Sequence, residues 1–393
     1  MASHPYSDLP DFAYWRRAVT NVAPGELDPV VEPPFRFGAR DKVATAGSCF
    51  AQHIGRYLEA NGCNYLVTEP AHPMIGPEAK RILNYGLFTA RYGNIYTSRQ
   101  LLQLMERAYG RLVPQENVWT RGEAQIVDPF RPNIQPGGYN CERELHFDRE
   151  RHFAAVRDAF ESLDIFVFTL GLTEAWRSRA DGVVFPLCPG VAGGQFSAKT
   201  HEFVNLGVDD VVDDMTMFVA QLRRVNPRAR VILTVSPVPL VATAEPRHVL
   251  VSTIYSKSVL RVACEQLTRL FEDVAYFPSY EIIAGGFASK NYFAADGRSV
   301  TEDGVAHVMR VFAKHFLKSN PASEALRRAV RAFTPGKAAE DDSSAEAVAR
   351  AMRLMCDEEA LDIEPTRRDE EPTPQEEPAA PESGEAPTSA TEE

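Results

Sequence analysis

The run Val43-Ala-Thr-Ala-Gly-Ser-Cys-Phe-Ala-Gln-His-Ile-Gly-Arg-Tyr-Leu58 passes from β-prone apolar residues straight into a helical period, with Gly47-Ser48 at the junction. A serine at a strand-to-helix turn carries an exposed hydroxyl and an outward backbone N–H, with the positive end of a helix beneath it. Acyl transfer needs this combination for the nucleophile and the developing oxyanion. Ser48 is therefore the candidate nucleophile, with its own N–H as an oxyanion donor. The competing reading is that Ser48 only N-caps the helix, a position serine favours. Cys49 is a rival nucleophile, since a helix N-terminus activates a thiol. Successive side chains diverge at such a turn, however, and the cysteine is expected to pack beneath the serine.

A serine nucleophile requires a base within hydrogen-bond reach. His248, in Glu245-Pro-Arg-His248 after a predicted central strand, and His307, on a later helix, lead the candidates. His53, five residues after Ser48, and His201 follow them. Each could equally be a structural histidine. Lys257 lies in Ser256-Lys257-Ser258, which lacks Ser-x-x-Lys spacing, so it reads as a helix-surface lysine.

Strands and helices alternate along the chain, which predicts a parallel sheet covered on both faces. Predicted strands are 42–46, 65–67, 164–170, 230–235 and 274–277. The runs Ile165–Leu170 and Val231–Val235 are continuously apolar, as expected of central strands buried on both faces. Helical periods cover 50–61, 99–109, 149–162, 211–225, 253–271 and 301–317, the last with Thr301 or Ser299 as its cap. In such sheets ligands sit beyond the carboxyl ends of the strands. Ser48, Gly171–Glu174, Ser236-Pro-Val-Pro239 and Asn291–Ser299 should therefore face one cleft.

Residues 111–145 and 175–205 interrupt the alternation. They carry Trp119, Phe130, Tyr139, Trp176, Phe185 and Phe196, and are expected to be ordered flaps shaping that cleft. The expected division is an N-terminal extension at 1–39, an α/β domain at 40–334 and an acidic tail at 335–393. From Pro335 onward there are eighteen acidic and five basic residues, so the net charge of −12 belongs to the tail. Residues 362–393 are rich in Pro, Glu, Ser and Thr and should be disordered, their deletion leaving folding intact. A short amphipathic helix is expected at 345–361, either docked on the body or on a protein partner or loosely formed at the surface.

The six cysteines show no C-x-x-C spacing, so neither a zinc site nor a disulfide framework is expected. No cofactor is called for. The absence of a basic cluster interleaved with aromatics argues against nucleic acid. With no apolar run of spanning length and no leader pattern, a cytoplasmic location without a membrane span is expected.

Gly47-Ser48-Cys49-Phe50-Ala51 resembles the signature of the GSCFA family, a bacterial group similar to the SGNH/GDSL hydrolases. Asn84-Tyr85-Gly86, Thr169–Glu174, Thr234–Val238 and Ser256-Lys257-Ser258 follow in that family's order. The resemblance covers roughly residues 40–318. It implies a flavodoxin-like, SGNH-type three-layer sandwich with about five parallel strands. It also implies a serine-dependent esterase or acyltransferase acting on an O-acyl ester, with a small molecule or glycan as substrate. By that analogy Ser48 is the nucleophile, Gly86 supplies a second oxyanion N–H, and Thr173 or a protonated Glu174 stands where the family type has a donating asparagine. The final Asp-x-x-His block reads Asp296-Gly297-Arg298-Ser299 here, with serine in place of the base. This departure leaves His248 or His307 as the replacement, and leaves open a catalytically inactive ligand-binding or scaffold protein.

Overall fold

The computed structural model describes residues 4–122, 124–285, 291–318 and 357–361. In chain order β1 (Val43–Gly47) leads to α1 (Ala51–Ala60), α2 (Pro77–Ile82) and α3 (Ser98–Ala108). The short strands β2 (Trp119–Arg121) and β3 (Gln125–Val127) precede α4 (Glu142–Ser162) and β4 (Ile165–Leu170). Next come β5 (Glu174–Ser178), β6 (Val184–Phe185), β7 (His201–Asn205) and α5 (Val208–Val225). The fold closes with β8 (Arg230–Val235), α6 (Val249–Leu270), β9 (Val274–Phe277), α7 (Ser279–Ala284) and α8 (Glu302–Phe316).

Four parallel strands form the central sheet, in the order β1-β4-β8-β9. About five were expected. The fifth candidate, 65–67, makes only an isolated parallel bridge between Tyr65 and Val43 at the β1 edge. Alternation along the strands sorts the core into two layers. Phe166, Phe168, Leu170, Leu233 and Val235 pack with α3–α6, while Val43, Ile165, Val167, Ile232 and Phe277 pack with α1, α7 and α8. The result is the three-layer α/β sandwich expected from the alternation.

Register aligns Gly47, Thr169, Thr234 and Phe277 in one row across the sheet. The residues that follow each strand therefore emerge along one edge. Thr301 caps α8 as expected, accepting from the Gly304 N–H. Thr97 and Gln100 form a capping box on α3.

The two irregular stretches are ordered. β2 and β3 pair as an antiparallel ribbon, and β6-β5-β7 form a small antiparallel sheet. Their aromatics pack on one another. Phe185 lies 5.0 Å from Trp119 and 5.6 Å from Phe130 between ring centroids, and Trp176 contacts Phe196 and Phe203. Buried ion pairs fix the first stretch to α4. Asp128 meets Arg131 and Arg149 at 3.0 and 3.2 Å, and Arg131 reaches Asp148 at 2.6 Å. Of the expected helix at 345–361, residues 357–361 form a 3-10 turn. The rest of that helix and the segment 362–393 lie outside the described residues.

Candidate active site

β1 ends at Gly47, whose φ of +137° is a conformation glycine alone takes readily. A Cβ there would stand 2.7 Å from the Thr169 nitrogen and nearer still to its carbonyl, so β1 and β4 approach this closely only without a side chain. Ser48 follows. Its N–H donates to the Thr169 carbonyl at 3.0 Å, and its own carbonyl accepts from Ala51 N at 2.9 Å. The Ser48 N–H is thus engaged in extending the sheet ladder and does not point outward as expected. Nor does the side chain cap α1: Phe50 holds the N-cap position, without a side-chain bond. Ser48 is 3 % exposed, and its Oγ has no hydrogen-bond partner among the described residues. A buried hydroxyl left unpaired costs free energy that a purely structural serine would avoid.

Two segments wall this turn. Ile95 N donates to the Gly47 carbonyl at 2.8 Å, and Gln52 of α1 donates to the Asn94 side chain at 3.1 Å, which brings Asn94–Tyr96 alongside Ser48. Gly171 and Leu172 both donate to the Tyr96 carbonyl. A Cβ on Gly171 would lie 3.1 Å from both the Ser48 Cβ and the Tyr96 carbonyl oxygen. From α6, Lys257 donates its Nζ to the Gly171 carbonyl at 2.6 Å. The lysine is 1 % exposed, and burial pushes its pKa below the ordinary lysine value, against the opposing pull of Glu358 and Cys49. It is no surface lysine. Cys49 is buried, within electrostatic reach of that ammonium.

The other expected site residues lie elsewhere or are engaged. Gly86 occupies an exposed turn at φ +80°, with nothing within 4 Å of a would-be Cβ, so no close approach requires it. The chain that abuts the serine turn is Asn94–Tyr96. The Thr173 hydroxyl donates to Asn205 Oδ1 at 2.7 Å. Glu174 accepts from the Thr243 hydroxyl at 2.6 Å and from Ala244 N at 3.2 Å, anchoring the loop after β8.

No described histidine bonds Ser48 Oγ. His248 is an exposed N-cap of α6, its Nδ1 accepting from Leu250 N. His307 is bonded at both nitrogens, Nδ1 to the Tyr292 hydroxyl at 2.7 Å and Nε2 to the Leu27 carbonyl at 2.8 Å, where it ties the N-terminal segment to α8. His201 contacts Glu116 at 2.8 Å and accepts from Ser197 N. His53 packs edge-on to Phe50, and burial pushes its pKa down to about 4. In the Asp296–Ser299 block the carboxylate closes on itself, accepting from the Ser299 hydroxyl at 2.5 Å and from the Arg298 and Ser299 N–H groups.

Carboxylates from a distant part of the chain complete the site. Asp357 accepts from Asn94 Nδ2 at 2.9 Å and Asn133 Nδ2 at 2.7 Å, and its N–H donates to the Tyr96 hydroxyl at 3.1 Å. Glu358 pairs with Arg298 at 3.0 Å. Burial pushes both acids above the ordinary carboxylate range. Asn94 and Asn133 lie in no periodic or motif-bearing run, and within the helical period at 345–361 Asp357 and Glu358 read as solvated polar positions.

Among the described residues no group of three or more His, Cys, Asp or Glu is arranged to hold a metal ion, and no helix is long and apolar enough to cross a membrane.

A parallel α/β sandwich with a buried serine at the carboxyl end of its first strand defines the class. Residues 42–312 match the model of the GSCFA family, and the chain belongs to that family. No curated protein matches. Among solved structures, an acetyl esterase serine-to-alanine mutant with acetate ion is 12 % identical, with 75 % of this chain and 100 % of that one covered and a TM-score of 0.27. A carbohydrate esterase family 3 protein from Talaromyces cellulolyticus is 13 % identical, with the same coverage and a TM-score of 0.26. A putative platelet activating factor from Streptococcus pneumonia is 11 % identical at a TM-score of 0.24. That alignment covers 39 % of this chain and spans 59 % of that protein's length. Overlaps this loose place no residue and assign no activity.

Proposed function

We propose that the protein is a serine-dependent esterase or acyltransferase acting on O-acyl esters, with Ser48 as nucleophile and Lys257 as its base. The observation that carries this reading is the buried, unpartnered Ser48 Oγ at a strand-to-helix turn packed against Gly171, whose carbonyl accepts from the buried Lys257. Lysine serves as the base in serine–lysine variants of the triad, and desolvation brings its neutral form within reach of physiological pH.

Nζ swings from the Gly171 carbonyl to Ser48 Oγ and takes its proton as Oγ bonds to the ester carbonyl carbon. The C–O bond to the alcohol then breaks, and the Lys257 proton passes to the departing alkoxide. Water or an acceptor hydroxyl, deprotonated in turn by Lys257, adds to the acyl carbon, and the C–Oγ bond breaks as the Lys257 proton returns to Ser48 Oγ. O-acylated glycans are the substrate class, by analogy with hydrolases of this type.

Hydrolysis of p-nitrophenyl acetate tests the reading. Turnover by the wild type that vanishes in Ser48→Ala, with melting temperature retained, supports it. A second reading, a binding protein without turnover, is favoured by Ser299 at the position of the expected imidazole. It predicts no ester hydrolysis by the wild type and undiminished ligand binding in Ser48→Ala.

A further inference from the structure

Asp357 and Glu358 are held by side chains that belong to the body of the protein and converge from separate loops. We propose that the cleft beside Ser48 carries a carboxylate subsite built from Asn94, Asn133 and Arg298, that Asp357 and Glu358 fill it from within the same chain, and that its external ligand is a glycan bearing uronic-acid carboxylates. The choice of a glycan rests on the function proposed above.

The donor pattern selects the ligand chemistry. The Asp357 carboxylate takes the Asn94 side-chain amide on Oδ2 and the Asn133 side-chain amide on Oδ1, with the Asn94 backbone N–H as a further donor. That arrangement meets both oxygens of a planar carboxylate. Arg298 supplies the second place. Its Nε is fixed on the Pro239 carbonyl at 3.1 Å, and its Nη2 meets Glu358 Oε2 at 3.0 Å. Lys257 adds a second positive charge that acts on Glu358. Two carboxylates on one backbone are thus read by two adjacent donor sets, and an oligouronide presents carboxylates in the same serial way.

The internal occupant is replaceable. Its described contact is one short turn with two buried residues, both of them acids whose desolvation opposes their burial. It lies on Asn94 and Tyr96, the residues packed against the serine turn. While it remains, a ligand must compete with a tethered segment at high effective concentration.

Calorimetric binding of trigalacturonate to the full-length protein tests this. The double variant Asp357→Ala/Glu358→Ala is expected to bind at least ten-fold more tightly than wild type, and Arg298→Gln added to it should remove that gain. Neutral trigalactose should bind neither protein measurably. Equal affinity of wild type and double variant for trigalacturonate, or equal binding of the neutral sugar, overturns the proposal. The readout is binding, so a silent Ser48 leaves it untouched and the two readings fail separately. Should the double variant lose its cooperative melting, the wild type decides. Saturating trigalacturonate must raise amide hydrogen exchange at 357–361, and unchanged exchange overturns the subsite.

Discussion

Lys257 and Ser48 both approach Gly171. Nζ donates to the Gly171 carbonyl at 2.6 Å, and a Cβ on Gly171 would stand 3.1 Å from the Ser48 Cβ. As a base, Lys257 works only when deprotonated, so the rate of acyl transfer must rise with pH. Burial lowers its pKa, which places the rise below the ordinary lysine value of 10.5. Lys257→Met should cut the rate by about 100-fold or more, the usual contribution of a general base. A pH–rate profile of p-nitrophenyl acetate hydrolysis in both proteins checks this, and a rise persisting unchanged in the variant would contradict it.

Gly47→Ala tests the strand crossing beneath the serine. The added Cβ would overlap the backbone of Thr169, which cannot move without breaking the β1–β4 ladder, and φ of +137° is strained for alanine. A loss of about 3 kcal/mol or more is expected from strain and overpacking together. Urea denaturation measures it; a loss under about 1 kcal/mol would mean that the two strands separate easily.

His248→Ala separates a cap from a base. The Nδ1 bond to Leu250 N is a helix-capping contact, so the substitution should cost about 1 kcal/mol of stability. Fluorophosphonate labelling of Ser48 should be unchanged. A collapse of labelling with stability intact would return His248 to the catalytic machinery.

Asp128 ties the irregular 111–145 stretch to α4. Burial would raise its pKa, but Arg149 and Arg131 overcome burial and hold the carboxyl far below the usual range. A depressed carboxylate contributes stability above its unfolded value near 3.8 and loses it as pH falls below that value. Asp128→Asn leaves the two buried guanidiniums short of their shared partner and should cost about 3–5 kcal/mol at pH 7. Denaturant midpoints at pH 7 and pH 3 check it, with the gap between wild type and variant shrinking at the lower pH.

These residues also mark what could be read from the chain alone. Ile165–Leu170 and Val231–Val235 were legible because burial on both faces leaves an unbroken apolar run, and the strand-to-helix turn at Ser48 because a glycine-serine pair divides two different periodicities. Lys257 was not. A polar position on an amphipathic helix reads the same whether it faces water or a cleft, and only tertiary packing of α6 against Gly171 tells them apart. Asn94 lies in a stretch without period, and a helical period at 345–361 that can dock on the body does not show that its acids, Asp357 and Glu358, are the residues buried there. His248 and His307 were drawn toward the site by sequence order, whereas their partners, Leu250 N, Tyr292 and the Leu27 carbonyl, come from local capping and from the N-terminal segment.

The central claim is that Ser48 is an activated nucleophile. Full-length wild type, Ser48→Ala and Lys257→Met should each be treated with a fluorophosphonate probe and mapped by peptide mass. The account predicts adduct on Ser48 in the wild type, none in Ser48→Ala, and labelling slower by about 100-fold or more in Lys257→Met. Adduct on another serine, or an unlabelled Ser48 in folded protein that also fails to hydrolyse p-nitrophenyl acetate, would contradict it.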